Sequence, residues 1–382
     1  MKFVVAPDSF KGSVSALGVA EAIERGILSV FTGAEVIKLP IADGGEGTIE
    51  ALVTATGGQV LYEEVVGPLG TPLKAHWGIL GDTETAIIEM AAASGLPLVP
   101  ADQRDPRITT TYGTGQLIKA ALDKGLRKII IGIGGSATND GGAGMAEALG
   151  ARFSDSEGKA LAPGGKALAG LAGIDLSGLD KRLQETTIMV ACDVDNPLCG
   201  ERGASAVYGP QKGATPAMVA ELDAALGVYA TIAEQATGKA IACCAGAGAA
   251  GGLGAGLLFF TNAQLRPGVE IVLEAAGFAS MVQGADLVIT GEGRTDFQTA
   301  YGKAPVGVAK VAKQYNIPVV CLAGGLGQGA DNVLNHGIDG LMSVIPAPMN
   351  LEQCMENGDQ LIEAATARLC RLVKVGMSIG GK

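Results

Sequence analysis

The sequence contains little of what many enzyme active sites and nucleic-acid-binding surfaces are built from. Histidine occurs only at His76 and His336, and neither follows a predicted strand, so Ser–His–Asp and Cys–His catalysis are excluded. Lysine and arginine total 28 against 39 acidic residues, which excludes the basic surface that nucleic-acid binding requires. With a net charge of −11, an anionic substrate must be attracted by local cations and backbone N–H groups.

Disulfide, targeting and membrane signals are also lacking. The seven cysteines are odd in number and form no C-x-x-C pair, so we expect reduced core residues of a cytoplasmic protein. The chain begins directly on a predicted strand, and we expect no targeting segment. One uncharged stretch, residues 240–265, is long enough to span a membrane. Its six glycines between Gly246 and Gly256 instead favour a glycine-rich loop and a buried helix at 253–260.

Glycine is abundant, at 59 residues, and it clusters after apolar β-like runs instead of repeating periodically, which excludes a collagen-like chain. Five predicted buried strands open directly into Gly, Asp, Ser or Thr: residues 3–6, 36–41, 128–133, 187–191 and 286–290. In an open α/β sheet, ligands bind in the crevice beyond the carboxyl ends of the strands. The pattern therefore predicts one polar site for a phosphorylated ligand and a metal ion.

Strands alternate with amphipathic helices along most of the chain, which predicts an α/β fold with a doubly wound, mostly parallel, Rossmann-like sheet. Helices are predicted at residues 14–29, 48–55, 115–124, 302–315 and 351–375. Antiparallel strands at 58–93 and a Gly/Ala-rich region at 196–284, with one helix at 216–237, break the alternation. We therefore predict a second, smaller, mixed α/β domain, residues 56–109 with 195–283, inserted into a first domain of residues 1–55, 110–194 and 284–382.

Two glycine patterns resemble dinucleotide-binding turns. The first, Gly132-x-Gly134-x-x-Ala137, follows a strand, although no ribose-binding acid follows on a second strand. The second, Gly246-x-Gly248-x-x-Gly251, is expected by chance in so glycine-rich a chain. For any single loop, tight turns and close helix–sheet packing explain the glycines equally well.

Acidic residues lie just past the predicted strand ends: Asp8, Asp43, Asp140, Asp193, Asp195, Glu292 and Asp296. A lone Asp after a strand is usually a helix cap or a turn residue. Acids at five strand ends favour Mg²⁺, which takes one or two carboxylates plus phosphate oxygens and water. One carboxylate can instead accept a proton from an attacking hydroxyl, and the pattern leaves open which acid does which.

Cations are scarce near these loops. Lys11, Arg294 and Lys303 lie within the strand-end segments, and Lys212 lies in the predicted second domain. Phosphoryl transfer needs positive charge on the moving phosphoryl group and on its leaving oxygen. These four side chains are the candidates, with a solvated surface position as the alternative for each.

Together the motifs resemble those of the bacterial type I glycerate kinases, the glycerate 2-kinases. The matching strings are APDSFK at 6–11, ADGGEGT at 42–48, EMAAASG at 89–95, GIGGSATNDGG at 132–142, CDVDNPL at 192–198, YGPQKG at 208–213 and TGEGRTD at 290–296, followed by Gly302-Lys303. The resemblance covers essentially the whole chain in order. One departure is Lys11-Gly12-Ser13, where the family often has Lys-Glu-Ser; no assigned role depends on that acid.

The resemblance implies ATP-dependent phosphorylation of D-glycerate to 2-phosphoglycerate with Mg²⁺, and the choice of hydroxyl rests on the resemblance alone. We expect a small-molecule substrate, no nucleic-acid or membrane partner, a site in the cleft between the two domains, and an oligomeric state left open. Asp193 is assigned to orient or deprotonate the glycerate hydroxyl. Lys11 and Arg294 are assigned to neutralise the charge of the phosphoryl group. The remaining assignments are Asp8, Ser9, Asn196 and Lys212 for substrate binding, Gly134, Gly135, Ser136, Thr138, Asn139, Gly291, Glu292 and Lys303 for the nucleotide, and Asp8 and Asp43 for the metal.

Two other classes of protein remain as alternatives. A nicotinamide-dependent dehydrogenase of a small hydroxy acid would use the Gly132 turn, but it lacks a well-placed histidine for proton transfer. A non-enzymatic sensor could close around a small acid, although acids at five strand ends exceed what such binding needs. Release of ADP that depends on glycerate and Mg²⁺ separates the kinase from both.

Overall fold

The structure is a computed structural model that describes residues 1–41, 45 and 47–380. Contacts divide the chain into two compact units. The first unit comprises Met1–Asp43 and Val269–Lys382, and the second comprises Gly44–Gly268.

The secondary structure alternates between strands and helices along most of the chain. The strands are β1 (Lys2–Pro7), β2 (Glu35–Lys38), β3 (Gln59–Val66), β4 (Pro72–Ile79), β5 (Thr85–Glu89), β6 (Lys128–Gly132), β7 (Arg152–Ser154), β8 (Gly173–Asp175), β9 (Thr187–Ala191), β10 (Ala263–Arg266), β11 (Leu287–Thr295), β12 (Val319–Leu326) and β13 (Gly340–Ser343). The α-helices are α1 (Ala16–Leu28), α2 (Thr48–Thr56), α3 (Ala91–Ser94), α4 (Tyr112–Asp123), α5 (Ala143–Ala148), α6 (Ala204–Tyr208), α7 (Pro216–Thr237), α8 (Ala249–Phe260), α9 (Gly268–Ala275), α10 (Phe278–Val282), α11 (Ala304–Gln314), α12 (Leu351–Glu356) and α13 (Gly358–Gly380).

The first unit contains a parallel sheet in the order β13-β12-β11-β1-β2. Strand β1 is followed in sequence by β2 on one side, whereas β11, β12 and β13 extend the sheet on the other side. The winding direction therefore reverses between β1 and β11, the position at which doubly wound sheets bind ligands. The apolar faces of β1, β11, α1 and α13 form one buried core that includes Phe3, Ile23, Ile289 and Ile362.

The second unit contains a mixed sheet in the order β10-β9-β6-β5-β4-β3. Strands β5, β6, β9 and β10 are parallel, while β3, β4 and β5 form an antiparallel meander. Trp77, Ile88, Leu117 and Ile131 belong to the core of this sheet. A separate cluster around Tyr229 packs α7 against α8, and β7 and β8 form a short antiparallel pair. The predicted α/β class, mostly parallel with a mixed part, is thus confirmed.

The structure divides the chain differently from the predicted domain borders. Residues 110–194 were assigned to the first domain, but β6 and β9 pair with β5 in the sheet of the second unit. The five strand ends are consequently split, with β1, β2 and β11 in one sheet and β6 and β9 in the other. Alternating apolar runs indicate where strands lie, but they do not specify which strand is the neighbour.

Most predicted helices are present, with small shifts at their ends. Ser15 caps α1 by accepting a hydrogen bond from the Gly18 N–H at 3.2 Å, and α7 spans the predicted residues 216–237. The predicted helix at 351–375 is two helices, because α12 ends before Asn357. Among the described residues, α7 is the one helix whose length and composition would allow it to cross a membrane, and it packs into the core through its buried face.

Candidate active site

A cavity of 520 Å³ lies at the carboxyl ends of β1, β11 and β12 in the first unit, and we call it the strand-end pocket. It occupies the switch point between β1 and β11, where the sequence predicts a ligand site. The pocket is lined by both charged and apolar side chains. Its lining comprises Asp8, Ser9, Phe10, Lys11, Ser13, Glu292, Gly293, Arg294, Lys303, Ala304, Gly324, Gly325, Val344, Ile345, Leu351, Cys354, Met355 and Gly358.

Glycines allow the strand ends to approach each other at the floor of this pocket. The Asp8 N–H donates to the carbonyl oxygen of Gly291 at 2.8 Å, which extends the pairing of β1 with β11. A Cβ at Gly291 would overlap the carbonyl oxygen of Leu322, and a Cβ at Gly324 would overlap that of Gly293. Gly291, which was predicted to lie beside the nucleotide, is buried between the strands and does not line the pocket.

Glu292 is a buried carboxylate in this pocket. Its Oε1 accepts hydrogen bonds from the hydroxyls of Thr299 at 2.6 Å and Thr295 at 3.2 Å. Burial raises the pKa of Glu292, and the nearby Asp8 charge adds to this rise, whereas Lys303 and the two hydroxyls oppose it. The threonines fix the orientation of the carboxylate, and their role had no signal in the sequence.

Three cations also line the pocket. Lys11 lies on the exposed turn after β1, and the Arg294 side chain is 72% exposed with its Nε 3.5 Å from Asp296 Oδ2. Lys303 is the N-cap residue of α11, so the first N–H groups of an 11-residue helix lie beside it. A helix N-terminus and nearby cations together favour a phosphate group. The pocket thus brings Lys11, Arg294 and Lys303 together, as the predicted chemistry requires.

The predicted magnesium ligands are tested by the donor set that the pocket presents. In the part of the chain that the structure describes, no group of three or more His, Cys, Asp or Glu side chains is arranged to hold a metal. Mg²⁺ does not need such a group, because it binds one or two carboxylates together with substrate phosphates and water. Asp8, whose charge is close enough to raise the pKa of Glu292, fits that chemistry. Asp43 lies outside the described residues.

The loop after β6 carries the first glycine pattern and lies in the second unit. Gly134 and Gly135 are exposed, Gly135 has a φ of +75°, and Ser136 forms an isolated bridge with Gly95. No helix opens directly from this turn, since α5 begins only at Ala143. The comparison with a dinucleotide fingerprint is therefore wrong, which removes the main support for the dehydrogenase alternative.

Lys212 is a buried lysine beneath this loop, 1% exposed. Its Nζ donates hydrogen bonds to Ser136 Oγ and to the Thr138 carbonyl oxygen, both at 2.7 Å. Desolvation lowers the pKa of Lys212 to about 7, and the charge of Asp140 opposes that shift. Because the ammonium occupies an acceptor position of Ser136, the Ser136 hydroxyl keeps its own proton for an acceptor on a ligand.

Thr138 and Asn139, predicted to contact the nucleotide, are fully buried. Thr138 Oγ1 and Asn139 Oδ1 lack hydrogen-bond partners, whereas Asn139 Nδ2 donates to Ser205 Oγ at 2.9 Å. Asp140 accepts hydrogen bonds from the N–H and hydroxyl of Thr111, both at 2.8 Å, and joins the starts of α4 and α5. Burial raises the pKa of Asp140. These side chains face the interior, whereas Gly134 and Gly135 at the start of the loop are exposed.

The second glycine pattern serves packing. Gly251 and Gly252 have positive φ values at the kinked start of α8. The Gly251 carbonyl oxygen accepts the Gly141 N–H at 3.0 Å, and a Cβ on Gly251 would overlap the Thr138 carbonyl. The start of α8 therefore packs directly against the loop after β6.

The loop after β9 holds Asp193 and Asn196, also in the second unit. Asp193 is exposed, and its Oδ1 accepts the N–H of Gly268 at 3.0 Å. Asn196 accepts the Tyr208 hydroxyl at 2.6 Å and donates to the Arg202 carbonyl at 2.8 Å. Both ends of the Asn196 amide are thus used to close its own loop, which disfavours the predicted substrate contact.

The structure therefore groups the predicted residues by unit. Asp8, Ser9, Lys11, Glu292, Arg294 and Lys303 line the strand-end pocket. Gly134, Gly135, Ser136, Lys212 and Asp193 lie in the second unit. The sequence analysis assigned no role to the apolar side chains in the lining, which are Val344, Ile345, Leu351, Cys354 and Met355. The first two directly follow β13, and the other three belong to α12.

Comparison with known proteins identifies the family. The model of the glycerate kinase family matches residues 3–374. A Bacillus subtilis protein named glycerate kinase is 55% identical over 99% of both chains, and an Escherichia coli protein named glycerate 2-kinase is 50% identical over 100% of both. A crystal structure from Salmonella typhimurium LT2 superposes with a TM-score of 0.90 at 53% identity over 99% of both chains. The chain belongs to the glycerate kinase family of enzymes.

Proposed function

We propose that this enzyme transfers the γ-phosphoryl group of ATP to the 2-hydroxyl of D-glycerate, with Mg²⁺, giving 2-phosphoglycerate and ADP. The observation that carries the proposal is the strand-end pocket, where carboxylates and three cations meet at the switch point of a parallel sheet. The 2-hydroxyl is chosen because an Escherichia coli relative at 50% identity is named glycerate 2-kinase.

In the proposed reaction, the bond between the γ-phosphorus and its bridging oxygen breaks and a bond to the glycerate oxygen forms. The hydroxyl proton passes to a carboxylate, which we assign to Asp193 as in the sequence analysis. Lys11, Arg294 and Lys303 offset the negative charge on the transferred group and on the leaving ADP oxygen. When bound, Mg²⁺ would supply charge neutralisation at the phosphates, held by Asp8.

Other parts of the proposal rest on the sequence and on the relatives. We infer that the substrate is a small molecule and that the enzyme acts in the cytoplasm, as expected from its reduced cysteines. A site shared by the two predicted domains stays a prediction. Ser136, whose hydroxyl keeps a free proton, is proposed to donate to an anionic group of a substrate, with Lys212 as its positioning residue.

The test measures ADP release by the purified enzyme with D-glycerate, L-glycerate or neither, with Mg²⁺ present or removed by EDTA. We expect release only with D-glycerate and Mg²⁺. The product is then offered to enolase alone, which consumes 2-phosphoglycerate but not the 3-isomer. A product that enolase accepts only after addition of a mutase would overturn the choice of hydroxyl, and NADH-dependent turnover would overturn the kinase.

A further inference from the structure

An apolar wall of the strand-end pocket has no role in the proposed phosphoryl transfer. It is formed by Val344 and Ile345, which follow β13, and by Leu351, Cys354 and Met355 of α12. Leu351 is 74% exposed and Met355 is 37% exposed, although both are apolar. An apolar wall left open beside a charged site indicates a ligand with an apolar part.

Two hydrogen bonds hold the part of this wall that α12 contributes. The Asn350 side chain caps α12 by accepting the Gln353 N–H at 2.8 Å. The Ser13 hydroxyl donates to the Met355 carbonyl oxygen at 2.6 Å and so ties α12 to the turn after β1. The apolar side chains of α12 are thereby held against the turn that carries Lys11.

The two substrates of the proposed reaction differ in how they match this wall. Glycerate has three carbons, a carboxylate and two hydroxyls, and presents almost no apolar surface. A nucleoside triphosphate has a flat heterocyclic base at one end and its negative charge at the other. The cavity volume of 520 Å³ lies within the range of about 300–1,000 Å³ that is typical for ligands of nucleotide size.

We propose that the strand-end pocket binds the nucleotide, with the base against Val344, Ile345, Leu351 and Met355 and the phosphates toward Lys11, Arg294 and Lys303 at the start of α11. This assignment rests on the proposed function and adds the position and polarity of the nucleotide. It keeps Glu292 and Lys303 from the predicted nucleotide residues, and it removes the loop 134–139, which the sequence analysis had also assigned to the nucleotide. The start of that loop, with exposed Gly134 and Gly135 and buried Ser136, is then left for the smaller acid.

Cys354 makes the first test independent of turnover, because it is a half-buried thiol in the pocket lining. Alkylation of the wild-type enzyme by N-ethylmaleimide is followed by peptide mass spectrometry, with exposed Cys243 of the second unit as the internal control. Saturating Mg·ADP should slow alkylation of Cys354 about tenfold, as expected when a bound ligand occludes the thiol, and leave Cys243 unchanged. D-glycerate alone should leave both rates unchanged.

The second test separates the base from the phosphates. Binding of ADP and of inorganic tripolyphosphate is measured by calorimetry for Leu351→Gln/Met355→Gln, with Leu372→Gln, an exposed leucine of α13 outside the pocket, as the control. The double variant should weaken ADP about tenfold through lost apolar contact and leave tripolyphosphate unchanged. Lys303→Met should weaken both ligands.

The outcomes are distinguishable from failure of the proposed function. If glycerate-dependent ADP release occurs but Mg·ADP leaves Cys354 reactive, or the double variant binds ADP as the wild type does, the nucleotide assignment is overturned and the kinase stands. Equal weakening of ADP and tripolyphosphate by the double variant overturns the placement of the base. If neither ADP release nor ADP binding is observed, the proposed function itself fails.

Discussion

Lys212 and Glu292 show how individual residues acquire properties that their type alone does not confer. Both are buried ionisable side chains, one under the loop after β6 and one in the strand-end pocket. Desolvation lowers the pKa of Lys212 and raises the pKa of Glu292, because in each case burial disfavours the charged form. Such groups are frequent in functional sites, where they bind or move protons and anions.

Lys212 should make the free energy of unfolding depend on pH. Its pKa of about 7 lies below the ordinary value of 10.5, so its contribution is fully present above pH 10.5 and is lost as pH falls through about 7. Wild-type stability should therefore gain a few kcal/mol from this group across that interval, since each pKa unit corresponds to about 1.4 kcal/mol. Urea unfolding between pH 7 and 10 should show a shallower pH slope for Lys212→Met than for the wild type.

The matched control for this experiment is Lys310→Met, which removes an exposed lysine paired with Glu270 at 2.9 Å. An exposed pair of this kind contributes little to stability. Its pH slope should follow that of the wild type. If both variants share the wild-type slope, Lys212 is charged throughout the interval and its burial has no titration consequence.

Asp193 allows the proton-accepting role to be separated from the structural one. Its Oδ1 accepts the Gly268 N–H, and an asparagine oxygen at the same position can accept that hydrogen bond too. Asp193→Asn should therefore keep the folded structure and lower kcat by about 10²- to 10⁴-fold, as loss of a general base does. The measurements are kcat by ADP release and the melting temperature by calorimetry.

Asp195→Asn is the control in the same loop, because Asp195 forms an exposed ion pair with Arg202 at 2.9 Å and is not assigned to the reaction. It should leave kcat within a factor of about two, since exposed pairs contribute little. An Asp193→Asn enzyme with the same activity as Asp195→Asn would remove Asp193 from the proton transfer.

At the scale of elements, the strand-end pocket exists because β11 and β12 approach each other at their carboxyl ends. Gly324 and Gly325 are consecutive residues of β12 and both line the pocket. Only Gly324 meets the backbone of the neighbouring strand, whereas a Cβ at Gly325 would meet no atom within 4 Å. Of these two glycines, Gly324 is therefore the one that sets how closely β11 and β12 approach at the pocket.

Gly324→Ala should separate the two strands at the pocket floor. The added methyl group overlaps the Gly293 carbonyl oxygen, and relief of such a clash costs about 1–3 kcal/mol. We expect a lower free energy of unfolding and weaker binding of Mg·ADP, measured by denaturation and calorimetry. Gly325→Ala adds the same methyl group to open space and should leave the free energy of unfolding unchanged; equal destabilisation by the two substitutions would contradict the assigned packing.

At the scale of the whole molecule, each unit has its own sheet and its own core. The second unit, Gly44–Gly268, is one continuous segment, and its apolar clusters around Trp77 and around Tyr229 are each drawn from within it. The first unit joins the two ends of the chain, because β1 pairs with β11 and α1 packs in one core with α13. Domains with complete cores generally fold by themselves.

A fragment of residues 44–268 should therefore fold without the rest of the chain. Circular dichroism should show its mixed helix and strand content, and thermal unfolding should be cooperative. A fragment of residues 1–43 is the contrasting case, since β1 and β2 then lack the partner strand β11, and it should be disordered. A disordered 44–268 fragment would show that its core is incomplete.

Several features of this protein followed from the sequence. Apolar runs that end in small and acidic residues predicted where strands end, and thereby placed Asp8, Lys11, Glu292 and Arg294 at the edge of a sheet. The side-chain period predicted α1, because a helix on the surface presents one apolar face to the core, and a helix was also predicted at the residues of α7. The motifs also predicted the glycerate kinase family, which the comparisons confirm.

Tertiary structure alone decided how those elements are combined. Strand pairing is a long-range choice, so β6 and β9 joined β5 and not β1, and the predicted loop 134–139 lies in a different unit from Glu292. Burial also depends on the whole fold. It turned Thr138, Asn139 and Asp140 inward, placed Lys212 beneath Ser136, and set apolar side chains in the same pocket as the cations, none of which a local pattern of residue types specifies.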